Sequence, residues 1–177
     1  MKTIERNADI ISGSEDLEHL YTFSKFPVFM GCTLAPQRED TLFDMSFWIS
    51  RCSGMIQLNP LLPLDVLYPE AHGAGCVGAL WVNHHQALAD FIARFNPTSV
   101  LEIGGSHGIL AANYKNIKRI PWTILEPNPT PVAECEATII KGFFDEKFHV
   151  QGELDAIVHS HVFEHIYQPD QFMGHLS

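Results

Sequence analysis

From Leu80 to Phe95 the apolar positions recur at three- and four-residue spacing, through Leu80, Trp81, His84, Leu88, Phe91, Ile92 and Phe95. That spacing predicts one helix with a single apolar stripe. Asn96-Pro97 ends it, because proline disfavours helical geometry in the residue before it. The period then changes. Ser99 to Ile103 is a short apolar run that predicts a strand, followed by the glycine-rich turn Gly104-Gly105-Ser106-His107-Gly108. Leu110, Tyr114 and Ile117 share one face of the next predicted helix. Trp122 to Leu125, Thr138 to Ile140 and Leu154 to Val158 predict three more strands, and Pro169 to Leu176 the first turns of another helix. Strands alternating with helical connections imply parallel pairing, so the fold class is α/β.

The first 70 or so residues have a different texture. Apolar runs there are short and broken by turn formers, as in Phe26 to Met30 and Asn59 to Pro63, which predicts short strands and loops. The change falls near Gly73 to Gly78. It divides the chain into a small N-terminal domain over 1–72, a linking helix over 73–98 and an α/β part over 99–177. No internal repeat and no low-complexity segment interrupts this order.

Composition adds exclusions. Hydrophobic residues make up 46% and charged ones 18%, the balance of a packed globular chain rather than a disordered one. No run approaches the roughly 18 apolar residues of a membrane span. Met1 to Asp9 lack the apolar stretch of a signal peptide, so a cytoplasmic protein without membrane association is expected. A formal net charge of −10 argues against nucleic acid as the main partner. Neutral or cationic small molecules, and anions held by backbone amides, stay open. The ten histidines alter this only below about pH 6.5. Cys32, Cys52, Cys76 and Cys135 form no CxxC pair, and reduced thiols are expected.

The candidate chemistry sits at the tip of the first strand of the α/β part. Parallel strands present ligands at their carboxyl ends, where the strand order reverses. Glycine at 104 permits a tight turn and a ligand's close approach, and Gly108 lets the next helix pack near the strand. The first amides of that helix would favour a carboxylate. Glu126 ends the second strand near the roughly 20-residue separation from Glu102 expected of a ribose-binding acid, and Pro127 stops the strand. A strand-to-helix turn of some other α/β protein is the plainer alternative. A nicotinamide dinucleotide is the main competing ligand, although its motif prefers glycine where Ser106 stands. A P-loop is excluded, since no Gly-Lys-Ser/Thr follows.

Val100 to Gly108, Ile124 to Asn128 and Asp155 to Ile166 resemble motifs I, II and IV of class I S-adenosylmethionine-dependent methyltransferases. Gly54 to Leu58, Pro63 to Tyr68 and the stretch from Gly73 to His85 further resemble the sugar C-methyltransferase group, which carries a small zinc-binding domain ahead of the methyltransferase domain and acts on nucleotide-linked deoxysugars. The resemblance implies a partial Rossmann-like sheet of the first four strands, preceded by a small irregular β-rich domain. It implies S-adenosyl-L-methionine as cofactor, with Glu102 at the methionine amino end, Gly104, Gly105, Ser106 and Gly108 shaping the pocket, and Glu126 with Pro127 at the ribose. Phe143 and Phe144 would sandwich adenine or else pack in the core, and Asp145 is a further adenine candidate. His161 and His165 are candidates for proton transfer or for capping, with His165 the better base. His84 and His85 lie on the linking helix, and His85 would approach the cofactor or face solvent. Tyr68, Glu70 and His72 are similar to the segment that closes over the cofactor.

Two departures from the family pattern carry expectations of their own. Alignment on Gly13-Ser14 and Ile56 to Leu58 places Asp9, Ser12, Ser50 and Ser53 where the family's zinc-binding cysteines belong. Serine is a poor zinc ligand, so no metal is expected; Cys32, Cys52 and nearby histidines are the alternative set. The sequence also stops just after the fourth strand, which reads as a C-terminal truncation, or as a sheet whose edge a second copy completes. The activities that follow are methyl transfer to a small molecule such as a nucleotide sugar or, alternatively, a catalytically silent cofactor-binding module. An NAD-dependent oxidoreductase ranks behind both.

Overall fold

The computed structural model describes residues 2–29, 36–68, 78–150 and 152–177, which form two compact units, Met1–His72 and Gly73–Ser177. In the first, β1 (Leu17–Pro27), β2 (Leu42–Ser50) and β3 (Ile56–Leu58) form an antiparallel sheet in that order. β1 and β2 are longer than the short strands the sequence predicts. Their pairing survives the turn formers because two irregularities, between His19 and Tyr21 and between Phe23 and Phe26, absorb the mismatch. At the second, Lys25 takes a positive φ of 54° and its amide donates to Asp44 Oδ1 at 2.8 Å. A short helix, α1 (Leu64–Leu67), follows β3.

Side-chain amides hold the N-terminal segment in this unit. The buried Gln57 accepts from the Ile10 amide at 3.0 Å and donates to the Ala8 carbonyl at 3.0 Å. The Asn59 side chain accepts from the Arg6 amide at 2.8 Å, and Ile4 bridges Leu61. Residues 4–10 thus behave as an extra strand without regular ladder bonds.

The second unit contains α2 (Ala79–Ala93), β4 (Val100–Ile103), α3 (Ile109–Lys115), β5 (Trp122–Glu126), β6 (Thr138–Lys141), β7 (Ala156–His159) and α4 (Pro169–Leu176). All four strands run parallel, in the order β6-β5-β4-β7. The mixed α/β class is therefore as expected, with a four-stranded parallel sheet and a separate antiparallel one. The connections differ from expectation: among the described residues only that from β4 to β5 carries a helix, α3, while the other two are turns and loops.

Period-2 alternation along β4 and β5 fixes the layers. Val100, Trp122 and Ile124 point to one face, where they meet Ala89 and Ile92 of α2 and Leu110, Ala111 and Tyr114 of α3. Leu101, Ile103 and Leu125 point to the other, covered by Phe172 of α4. α2, read from sequence as a linking helix, is thus a layer of the second unit. Its buried side is rotated from the predicted stripe, with which it shares Leu88 and Ile92. Ala89 and Ile92 are buried, whereas Leu80, Phe91 and Phe95 are exposed. The small Ala89 lets the helix approach the sheet, a signal that hydrophobicity alone ranks below Leu and Phe. Ile117, expected on the buried face of α3, lies past its end and is exposed. No helix among the described residues is long and apolar enough to cross a membrane.

Replacing Ile92 by Ala should cost about 2–5 kcal/mol of unfolding free energy in denaturant titration, as core truncations do. The neighbouring Phe91→Ala should cost less than about 1 kcal/mol. Equal losses would contradict the rotation of α2 described above.

Candidate functional site

The glycine turn leaves β4 at its carboxyl end, between β5 on one side and β7 on the other. It is the point at which the sheet's strand order reverses. The Gly104 amide continues the ladder to the Leu125 carbonyl at 2.9 Å. Gly104 then takes φ 73°, Ser106 φ 41° and Gly108 φ 66°, three left-handed residues in five. That conformation is natural for glycine and costs a serine something. The Ser106 amide recovers part of this cost by donating to Glu126 Oε2 at 3.1 Å. Glu126 Oε1 accepts from the Asn128 amide at 2.9 Å across Pro127. The carboxylate at the tip of β5 therefore orders the turn at the tip of β4.

Packing inside the protein also requires these glycines. A Cβ at Gly104 would run into Cγ2 of Val162, and one at Gly108 into Sγ of Cys135. At Gly105 it would lie 2.7 Å from Ile124 Cγ2 and 2.8 Å from Glu102 Cδ. Close approach of a ligand is thus not needed to explain Gly105 and Gly108. Val162, in the loop after β7, lies against Gly104 and closes that side of the turn. The loop after β5 closes another: Thr130 and Val132 donate their amides to the Ser106 and His107 carbonyls at 3.2 and 2.9 Å, and the Thr130 hydroxyl meets His107 Nδ1 at 2.8 Å.

Glu102 is buried beneath Gly105, and its Oε2 accepts a 2.8 Å hydrogen bond from the Trp122 indole. Glu102 as a whole is only 6% exposed, and Oε1 is the oxygen left for the expected contact with a ligand's amino end, direct or through water. Burial pushes its pKa up from 4.5 to about 7; the Trp122 hydrogen bond opposes the rise and the neighbouring Glu126 adds to it. Glu102 acts as a support of the turn that gains or loses a proton near neutrality.

Around the mouth of β7 the structure assembles rings. His84 and Trp81 come from α2, and Ser160 and His161 follow β7. His84 Nε2 lies 2.8 Å from Ser160 Oγ. The His161 ring sits 5.2 Å from that of His84 and 4.8 Å from that of Trp81, edge-on to both. His161 takes φ 55° and its Nδ1 approaches Glu164 at 3.4 Å. Desolvation holds the His84 pKa below its usual value, with His85 and His161 adding to the effect, so His84 favours the neutral, proton-accepting form. Sequence reasoning placed His85 nearer the site; the signal for His84 was its spacing of three from Trp81 on one helical face.

The other expected residues are dispersed. His165 ends a single 3-10 turn, Phe163–His165, and is half-buried. Of the two expectations for this pair, Phe144 takes core packing. Its ring packs on Phe148, Phe172 and His175 in the core, while Phe143 is half exposed. Tyr68 caps α1 in the first unit, and Glu70, His72, Cys32 and Cys76 lie outside the described residues. Among the described residues no group of three or more His, Cys, Asp or Glu side chains is arranged to hold a metal ion. No protein-family profile matches the chain, and no curated protein shows significant similarity to it.

The raised pKa of Glu102 makes a signed prediction. An acid whose folded pKa exceeds its unfolded value favours the fold below the unfolded pKa, and that support is lost as pH rises through the folded one. The window here is about pH 4.5 to 7, and the full effect is roughly 3 kcal/mol. Glu102→Gln, which keeps an acceptor for Trp122, should raise the unfolding free energy at about pH 8 by up to roughly 3 kcal/mol. Near pH 4, below the window, it should leave it almost unchanged. Denaturant titrations at the two pH values measure both.

Proposed function

We propose that this chain carries the S-adenosylmethionine-binding part of a methyltransferase of the sugar C-methyltransferase type. The observation that carries the reading is the junction of the Gly104–Gly108 turn with the Glu126 carboxylate at the reversal point of a parallel sheet. The strand order, third-second-first-fourth along the α/β part, is that of a Rossmann-like half sheet, whose ligands lie across this reversal. Glu126 keeps free lone pairs beside the two amides it accepts, so the ribose hydroxyls have acceptors there. Ser106 and Asn128 flank it.

S-adenosylmethionine supplies an already activated methyl group, so the protein's task is to align it with an acceptor and, for a carbon acceptor, to take up a proton. Neutral His84, held by Ser160 and facing His161, is suited to that proton. His165 is the other candidate. The acceptor is a small molecule, a nucleotide-linked sugar by resemblance; nucleic acid is disfavoured by the charge of −10. β7 forms one outer edge of the sheet, to which a further strand or a second copy of the chain can add.

A dinucleotide-binding oxidoreductase is the second reading, although its motif prefers glycine where Ser106 stands. The Ser106 φ of 41° gives the turn the backbone that a glycine at this position provides in that class. Calorimetric titration separates the readings. S-adenosylmethionine and S-adenosylhomocysteine should bind and NAD should not. Glu126→Ala should weaken S-adenosylhomocysteine about tenfold to a hundredfold, as loss of hydrogen bonds to a ligand does. Binding of NAD alone would replace the assignment with the dinucleotide one. Binding of none would leave the methyltransferase reading without support.

A further inference from the structure

Two turns in the first unit are built alike, although about 40 residues separate them. One is Asp9-Ile10-Ile11-Ser12-Gly13 and the other Ser50-Arg51-Cys52-Ser53-Gly54. In each, the glycine amide donates to the carbonyl of the first residue, Gly13 to Asp9 at 2.8 Å and Gly54 to Ser50 at 2.9 Å. The amide of the first residue donates to the carbonyl five residues on, Asp9 to Ser14 at 2.8 Å and Ser50 to Met55 at 3.0 Å. The glycines share the left-handed conformation, φ 71° and 74°. Each first side chain accepts an amide from its own turn: Asp9 Oδ1 from Ile11 at 2.9 Å, and Ser50 Oγ from Ser53 at 3.2 Å.

The side chains of both turns also meet. Asp9 Oδ2 accepts from the Ser12 hydroxyl at 2.6 Å. The Ser12 hydroxyl, with those of Ser53 and Ser50 nearby and the Ile11 amide, holds the Asp9 carboxyl far below the usual carboxylate range. Asp9 and Ser50 are buried. The Ser50 hydroxyl donates in turn to Asp16 Oδ1 at 2.8 Å, and Asp16 Oδ2 accepts the Cys52 amide.

Paired turns with ligands three residues apart and amides directed at the first ligand are the framework of a tetrahedral zinc site. The donors here do not fit zinc. One carboxylate and three hydroxyls replace thiolates or imidazoles, and both oxygens of the carboxylate already accept hydrogen bonds, from Ile11 and Ser12. We propose that the first unit keeps the backbone of a twin-turn metal site while the buried Asp9 carboxylate, set between the serines of both turns and backed by the Asp16 bonds to Ser50 and Cys52, does the ion's work of tying them together. The unit is then metal-independent, and its framework is still competent for metal once thiolates are supplied. This inference is independent of the cofactor assignment.

The test uses the full chain. Wild type, purified and dialysed against zinc, should hold no stoichiometric metal, and chelator should leave amide exchange in residues 9–14 and 50–55 unchanged. Asp9→Ala should speed exchange in both turns by roughly tenfold or more, while β4 and β5 keep their protection. In a Cys52→Ser background, Asp9→Cys, Ser12→Cys, Ser50→Cys and Ser53→Cys together should take up one cobalt(II) ion with the visible bands of tetrahedral thiolate coordination. Stoichiometric zinc in wild type would overturn the proposal, as would chelator-induced opening of the turns. A folded four-cysteine variant without tetrahedral cobalt would overturn it too. If that variant fails to fold even with metal, unchanged exchange in Asp9→Ala at the second turn overturns it.

Discussion

The hydrogen bond from the Trp122 indole to the buried Glu102 carboxyl ties the two central strands of the second unit beneath the turn that they support. A carboxyl in that position is costly to ionise, and it persists because one partner is supplied and the charge is shed near neutrality. Its presence dictates much of what surrounds it. Residue 105 must be glycine to clear Glu102 and Ile124. The turn above then rises into left-handed geometry at Gly104, Ser106 and Gly108, and Glu126 must reach across to hold the Ser106 amide. Two acids of neighbouring strands thus play opposite parts. Both are buried, but one supports the turn from below and the other orders it from the strand tip.

The same economy appears in the first unit. A carboxylate surrounded by hydroxyls and amides, Asp9, joins two turns of like construction. Where Glu102 is kept protonatable by desolvation, Asp9 is kept ionised by hydrogen bonding. In both units acids organise backbone that regular secondary structure leaves unpaired, Glu126 in the second and Asp9 with Asp16 in the first. The antiparallel sheet and the parallel sheet are conventional; the turns at their ends depend on these acids.

Much of the parallel sheet was legible in the sequence. Each of its strands is a compact apolar run flanked by turn formers, and the positions from Val100 to Ile103 and from Trp122 to Glu126 fall where the pattern places them. The rotation of α2 was not legible, because its closest contact is made by Ala89 and its large apolar residues Leu80, Phe91 and Phe95 are left exposed. The length of β1 and β2 was not legible, because pairing across irregularities such as that between Phe23 and Phe26 has no periodic signature. At the site, the glycine turn and Glu126 could be read from spacing. The burial of Glu102 could not, since an acid at a strand end looks the same whether its carboxyl faces a ligand or an indole. The His84–Ser160 contact joins residues far apart in sequence, and only the fold brings them together.

The central claim is that a ligand is held where the β4 turn meets the Glu126 carboxylate. Amide chemical shifts of the full chain, followed as S-adenosylhomocysteine is added, test it most directly. The account predicts saturable shifts concentrated at Gly104 to Gly108 and at Asn128, with the amides of β1 and β2 unmoved. Saturable shifts confined to other parts of the chain, with Ser106 and Asn128 unaffected, would contradict it.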